Sequence, residues 1–214
     1  TTATWTASTW VWVSITDTDE AMHKPHGSGF ISRRQLLSRS GAWGVGSTAL
    51  FALGTHAAVL MDIEQAQRQL WPQAESFQSM GLTLGERELT TIAQQSETRV
   101  PKQFAPRVWE SMLAGKRVGW VVADRVIGKY DLIDYAAGFG VDGVITGVEI
   151  LAYRESHGGE IRQAAWRRQF KGRKGPQSMR FADDIKNISG ATLSCQHVTE
   201  GIQRLSALVG LLNA

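Results

Sequence analysis

Near the C-terminus Val198, Ile202, Leu205, Leu208, Val209 and Leu212 fall on one stripe at 3.6 residues per turn, which predicts an amphipathic helix over 192–212. A helix of that length needs an apolar surface to lie on, and the segments upstream read as a mixture of strands and helices. Residues 117–123 alternate, with Val118, Trp120 and Val122 on one side, and read as a strand. Asp124-Arg125 reads as a turn into Val126-Ile127-Gly128-Lys129, and Asp142-Gly143 as a turn into a second strand over 144–153. Residues 62–70 are helix-compatible through Ile63, Ala66 and Leu70, with Pro72 as the stop. Thr83 to Glu86 has the spacing of a capping box, and Leu89 and Ile92 continue a helical face. Gly159 to Phe170 reads as a helix carrying Ile161, Ala165, Trp166 and Phe170, followed by a Gly/Pro/basic loop over 171–177. The mixture lacks a regular βαβ alternation, so the expected class is α+β, a small antiparallel sheet with packed helices.

The first 61 residues read differently. Residues 1–21 are rich in Thr, Ser and Trp without helical period, and Met22 reads as a start after an upstream extension. From there a polar stretch leads to Ser32-Arg33-Arg34-Gln35-Leu36-Leu37, similar to a twin-arginine signature. A Gly- and Ala-rich apolar run over 41–60 follows, with Thr55-His56-Ala57 as a small-residue cleavage site. Left uncleaved, that run is about as long as a membrane anchor needs to be. The expected division is therefore an extension (1–21), a twin-arginine-type signal segment (22–61) and a domain (62–214). The whole chain of 214 residues carries a net charge of +3, and residues 62–214 carry +2, a balance suited to an ordinary globular domain. A single cysteine, Cys195, excludes an intrachain disulfide framework and a Cys-rich metal or iron–sulfur site.

Chemistry concentrates at Ile188-Ser189-Gly190-Ala191-Thr192-Leu193-Ser194, directly ahead of the C-terminal helix. Small residues let the backbone approach a ligand, and a helix N-terminus presents free N–H groups and partial positive charge to a phosphate. Ser and Thr are also the preferred capping residues, so capping and phosphate binding both fit these residue types. The lysine of a nucleotide-triphosphate P-loop is missing.

Ser189-Gly190-Ala191-Thr192 with Ser194 resembles the flavinylation motif of the FMN-binding domain family. Gly119-Trp120-Val121-Val122, Gly147 to Leu151, Tyr153 to Gly158 and Gln169 to Gly172 extend the resemblance in the family's order over about residues 115–210. It implies FMN as the cofactor, with a flavin transferase joining the FMN phosphate to Thr192. Ser189, Gly190, Ala191 and Ser194 would surround that phosphate, and Glu155 and Gly158 would lie in a loop near the flavin. The family's carriers are extracytoplasmic and exchange electrons with membrane-associated redox proteins. Where the family motif has Asp, six residues before the acceptor Thr, this chain has Lys186, so covalent and non-covalent FMN both stay open.

Other residues have more than one reading. Eight basic residues between Arg154 and Arg180 face two glutamates, which gives a local net charge of +6. That is an electropositive surface for a phosphate, an acidic partner or anionic lipid, or else a solvated face. No nucleic-acid module pattern is present. Cys195 fits a buried packing residue or a redox thiol, and His157 and His197 have no metal-ligand spacing. Trp109, Trp120 and Trp166 could stack on a flavin ring or fill the core. The combined expectation is an exported FMN-bearing electron-transfer protein. A flavin-dependent reductase of a small molecule and a non-redox binding module are the alternatives.

Overall fold

The computed structural model describes residues 58–214. The extension, the arginine pair and the small-residue exit at Thr55–Ala57 lie outside these residues. The described residues form one antiparallel sheet in the order β1-β6-β5-β4-β3-β2, with helices on both faces. The strands are β1 (Ala58–Val59), β2 (Ser76–Met80), β3 (Arg107–Leu113), β4 (Lys116–Ile127), β5 (Leu132–Gly140) and β6 (Ile145–Tyr153). The helices are α1 (Ile63–Leu70), α2 (Glu86–Ser96), α3 (Ala164–Arg167) and α4 (Thr192–Leu212). The architecture is α+β, as the mixed pattern implies. Residues 58–61, the end of the stretch read as signal, are part of it: β1 pairs with β6, and the Leu60 and Met61 N–H groups donate to the Leu151 carbonyl.

Long hairpins run through β3, β4, β5 and β6. The Asp124-Arg125 pair expected to turn instead continues β4, and the chain reverses at Gly128–Asp131, where the Gly128 N–H donates to the Asp131 carbonyl at 2.8 Å. Cross-strand chemistry keeps these charged residues in the ladder: Arg125 Nε lies 3.1 Å from Asp134 Oδ1, and Tyr135 donates its hydroxyl to Asp124. Asp142-Gly143 does turn the chain into β6, with the Val144 N–H donating to the Asp142 carboxylate at 3.0 Å.

On one face of the sheet α2 and α4 cover a large core that includes Trp120, Tyr135, Phe139, Ile150 and Ile202. On the other, α1 packs a smaller cluster of Ala66, Leu70 and Trp71 on Val121, Ala123 and Ala136. A Cβ on Gly119 would come within 2.2 Å of the Trp71 ring, and one on Gly138 within 3.0 Å of Leu70 Cβ. These glycines form the notch that admits the end of α1, and Trp71 Nε1 then donates to the Trp120 carbonyl at 3.2 Å.

Two expected helices differ in detail. α1 starts as read, with Asp62 as N-cap accepting from the Gln65 N–H at 2.7 Å. α2 begins at Glu86 rather than after Thr83, so its N-cap is Gly85, whose N–H donates to Glu88 at 3.0 Å. The stretch 159–170 is not one helix: two 3-10 turns flank α3, and the backbone is extended at Gln163. Ile161, Trp166 and Phe170 do not share one stripe of a continuous helix, and the break lets all three bury.

Candidate flavin site

The site forms where α4 begins. The N-cap position is held by Ala191, which has no side-chain acceptor, so the hydroxyls of Ser189, Thr192 and Ser194 do not cap the helix. The first helical hydrogen bond runs from the Cys195 N–H to the Ala191 carbonyl at 2.8 Å. The N–H groups of Thr192, Leu193 and Ser194 are thereby left at the open end of a 21-residue helix, with its positive dipole end behind them. Gly190, at φ +85°, turns the chain into the helix in a conformation that side chains disfavour. Thr192 is exposed, and Asn187 Nδ2 donates to its Oγ1 at 2.9 Å, which orients the hydroxyl at the helix mouth.

Opposite lies the loop that follows β6. Gly158 sits at φ +77° with its Cα side against the helix start: a Cβ there would stand 3.2 Å from both Cα and Cβ of Ala191 and 2.9 Å from the Tyr153 hydroxyl. Tyr153 donates that hydroxyl to the His157 carbonyl and lies 3.4 Å from Ser194 Oγ, so it ties the loop to the first turn of α4. Burial pushes the Tyr153 phenol upward, which keeps it protonated for this bond. Glu155 faces the β4–β5 turn, where its Oε1 accepts from the N–H groups of Tyr130 and Asp131 at 2.6 and 3.0 Å.

These residues bound two adjoining clefts of about 820 and 540 Å³, which share Glu155, Ser156, His157 and Gly190. Thr192, Ala191 and Ser194 line the smaller one, and Gly158 lines the larger. Of the seven residues expected at the site, Ser189 is exposed but lines neither cleft. Tyr130, Lys129 and Asn187 were not singled out from the sequence. Tyr130 is 75% exposed beside Thr192 with Lys129 Nζ 4.9 Å from its ring centroid, and the signal available for it was a tyrosine inside a Gly-Lys-Tyr-Asp turn.

The tryptophans are placed elsewhere. Trp120 is buried and donates to Asn213 at the far end of α4, while Trp166 is buried edge-on to Phe170 and donates to the Lys186 carbonyl. Cys195 is buried in the core, and burial raises its thiol pKa, which suits packing rather than a reactive thiolate. Much of the basic stretch is spent inside the fold. Arg154 pairs with Asp134, Arg167 with Glu149, and Arg173 donates to the carbonyls of Gln169, Ser178 and Asp184. Lys186 directs its Nζ to the Asp183 carbonyl at 3.0 Å, and its own N–H donates to Gln169 at 2.7 Å.

A helix mouth whose N–H groups no side chain caps, a hydroxyl in it and a cleft beside it suit a flavin mononucleotide. Residues 128–207 match the family model of the FMN-binding domain. The chain carries an FMN-binding domain. The match opens at the β4–β5 turn and closes within α4, so it contains both walls of the site, and FMN is the cofactor it indicates. A search of curated proteins finds no match to the chain.

The residues present fit FMN. The uncapped N–H groups of Thr192, Leu193 and Ser194 would hold the phosphate, and Tyr130 and Leu193 offer apolar surface beside them. Bound there, FMN supplies one- or two-electron chemistry.

Proposed function

We propose that this FMN-binding protein is an exported electron carrier whose flavin is esterified through its phosphate to Thr192. The observation that carries the reading is the start of α4, where no side chain caps the helix and the exposed Thr192 hydroxyl, held by Asn187, stands at the N-terminal end. The ester joins Thr192 Oγ1 to the FMN phosphorus and differs from free FMN plus protein by one water. In this arrangement Asn187 orients the hydroxyl, the first-turn N–H groups neutralise the phosphate, and Gly158 and Tyr153 hold the neighbouring loop against the helix. Attachment by a flavin transferase keeps the cofactor bound where free FMN is scarce. The twin-arginine-like segment supports export to the extracytoplasmic side, and the partners are membrane-associated redox proteins. Among the described residues no helix is long and apolar enough to cross a membrane.

A second reading, a reductase acting on a small molecule, is favoured by the larger cleft, whose 820 Å³ leaves room for an acceptor. Coexpression with a flavin transferase followed by acid denaturation and intact mass tests the first. The expected result is one FMN less one water on the wild type and none on Thr192→Val. Release of free FMN overturns the covalent link, and absence of any flavin overturns the carrier. Turnover with a soluble acceptor supports the reductase.

A further inference from the structure

A third cleft, of about 500 Å³, shares no lining residue with the two beside Thr192. It lies between the loop after α2, the end of β4 and the middle of α4. Arg204 lines it from α4 and is 3% exposed, and its Nε is buried without a hydrogen-bond partner. Among the described residues its guanidinium makes one hydrogen bond, from Nη1 to the Arg99 carbonyl at 3.2 Å, and no ion pair. Asp124 is an acid near enough to feel that charge, but it makes no ion pair with Arg204, and its Oδ2 accepts from the Tyr135 hydroxyl instead. A buried guanidinium N–H that finds no acceptor is costly to a fold, so a group that accepts from it would be bound with advantage.

The rest of the cleft says what kind of group. Lys102 and Arg99 stand exposed at its mouth. Ile127, half exposed, and Leu132 give it an apolar wall, while Glu200 places one negative charge on the rim. The other cation in the wall, Arg125, is already paired with Asp134. We propose that this cleft binds a small organic monoanion, its carboxylate on the Arg204 guanidinium and its apolar body on Ile127 and Leu132. The guanidinium fork matches planar carboxylate oxygens in pairs. A carboxylate with a short alkyl chain uses both the fork and the wall. Inorganic phosphate uses the fork alone and brings a second charge towards Glu200.

Nitrogen-15 NMR of the full chain titrated with hexanoate, hexanol and inorganic phosphate tests this. Hexanoate is expected to give saturable shifts at Ile127, Leu132 and Arg204, including the Arg204 Nε–H, and to leave Thr192 in place. Arg204→Gln should weaken hexanoate by roughly tenfold or more, the size of a lost charge-assisted hydrogen bond. Since that substitution could unfold the chain, Lys102→Glu at the exposed mouth serves as a second variant and should weaken hexanoate several-fold without changing the spectrum elsewhere. Ile127→Ser should lower hexanoate affinity and leave the phosphate response unchanged. Equal affinity for hexanol and hexanoate, tighter binding of phosphate, unsaturable shifts, or full affinity in Lys102→Glu would each overturn the proposal.

Discussion

The first turn of α4 and the body of the same helix solve opposite problems. From Val198 to Val209 every residue of the helix but Glu200 is buried, packed by β4, β5 and α2, and Thr199, Gln203, Arg204 and Ser206 are drawn into the fold. Thr199 turns its hydroxyl back to the Cys195 carbonyl at 2.7 Å. At Thr192 and Leu193 the helix is open, its N-cap carries no acceptor, and the N–H groups that a capping side chain would satisfy are left for something else. The buried body holds the helix still, and a fixed helix would hold a phosphate at its N-terminus in a fixed place. The proposed site sits on the exposed part of the element, supported by the buried part.

Substitutions at the two ends should separate these roles. Leu205, fully buried, is the largest lever: Leu205→Ala should cost about 2–5 kcal/mol in urea unfolding. It should lower flavin retention only through loss of fold. Thr192→Val is its counterpart. The unfolding free energy should stay within about 0.5 kcal/mol of wild type while covalent flavin disappears. A Thr192→Val protein as destabilised as Leu205→Ala would erase the distinction.

The smallest effect belongs to the loop that leads to the helix. The half-buried Asp184 carboxylate accepts from the Arg180 N–H at 2.9 Å and from its guanidinium, and these bonds hold its pKa below the usual carboxylate value. A lowered folded pKa means that the folded state binds fewer protons than the unfolded one. The contribution is therefore present above the ordinary carboxylate pKa and is lost as pH falls through the lowered value. Asp184→Asn should be slightly less stable than wild type at neutral pH, and urea midpoints should converge in strong acid. A gap that persists there would show that the loss is not the carboxylate's charge.

Legibility followed the pattern of burial. α4 was plain because a helix buried along most of its length still leaves its apolar residues on a 3.6 period, and β6 was plain because it follows a strong turn. β5 was missed: Leu-Ile-Asp-Tyr-Ala-Ala-Gly-Phe-Gly has no polar alternation, since its centre is buried on both faces and Gly138 is there to receive Leu70. The Asp124-Arg125 pair looked like a turn because the partners that hold it in a strand, Asp134 and Tyr135, come from the next strand. The segment at Ser189–Ser194 was found, but that no hydroxyl there caps the helix depends on backbone angles that residue type does not reveal.

Local order carries the periodicity of α4, the turn at Asp142-Gly143 and the small-residue approach to Thr192, because each is specified by neighbours a few positions apart. The pairing of Gly158 with Ala191, the glycine notch under Trp71 and the burial of Arg204 against Asp124 and Arg99 join residues 33 or more positions apart. Steric fit and desolvation act on distance in space, so these came into being only when the sheet closed and α4 lay down across it.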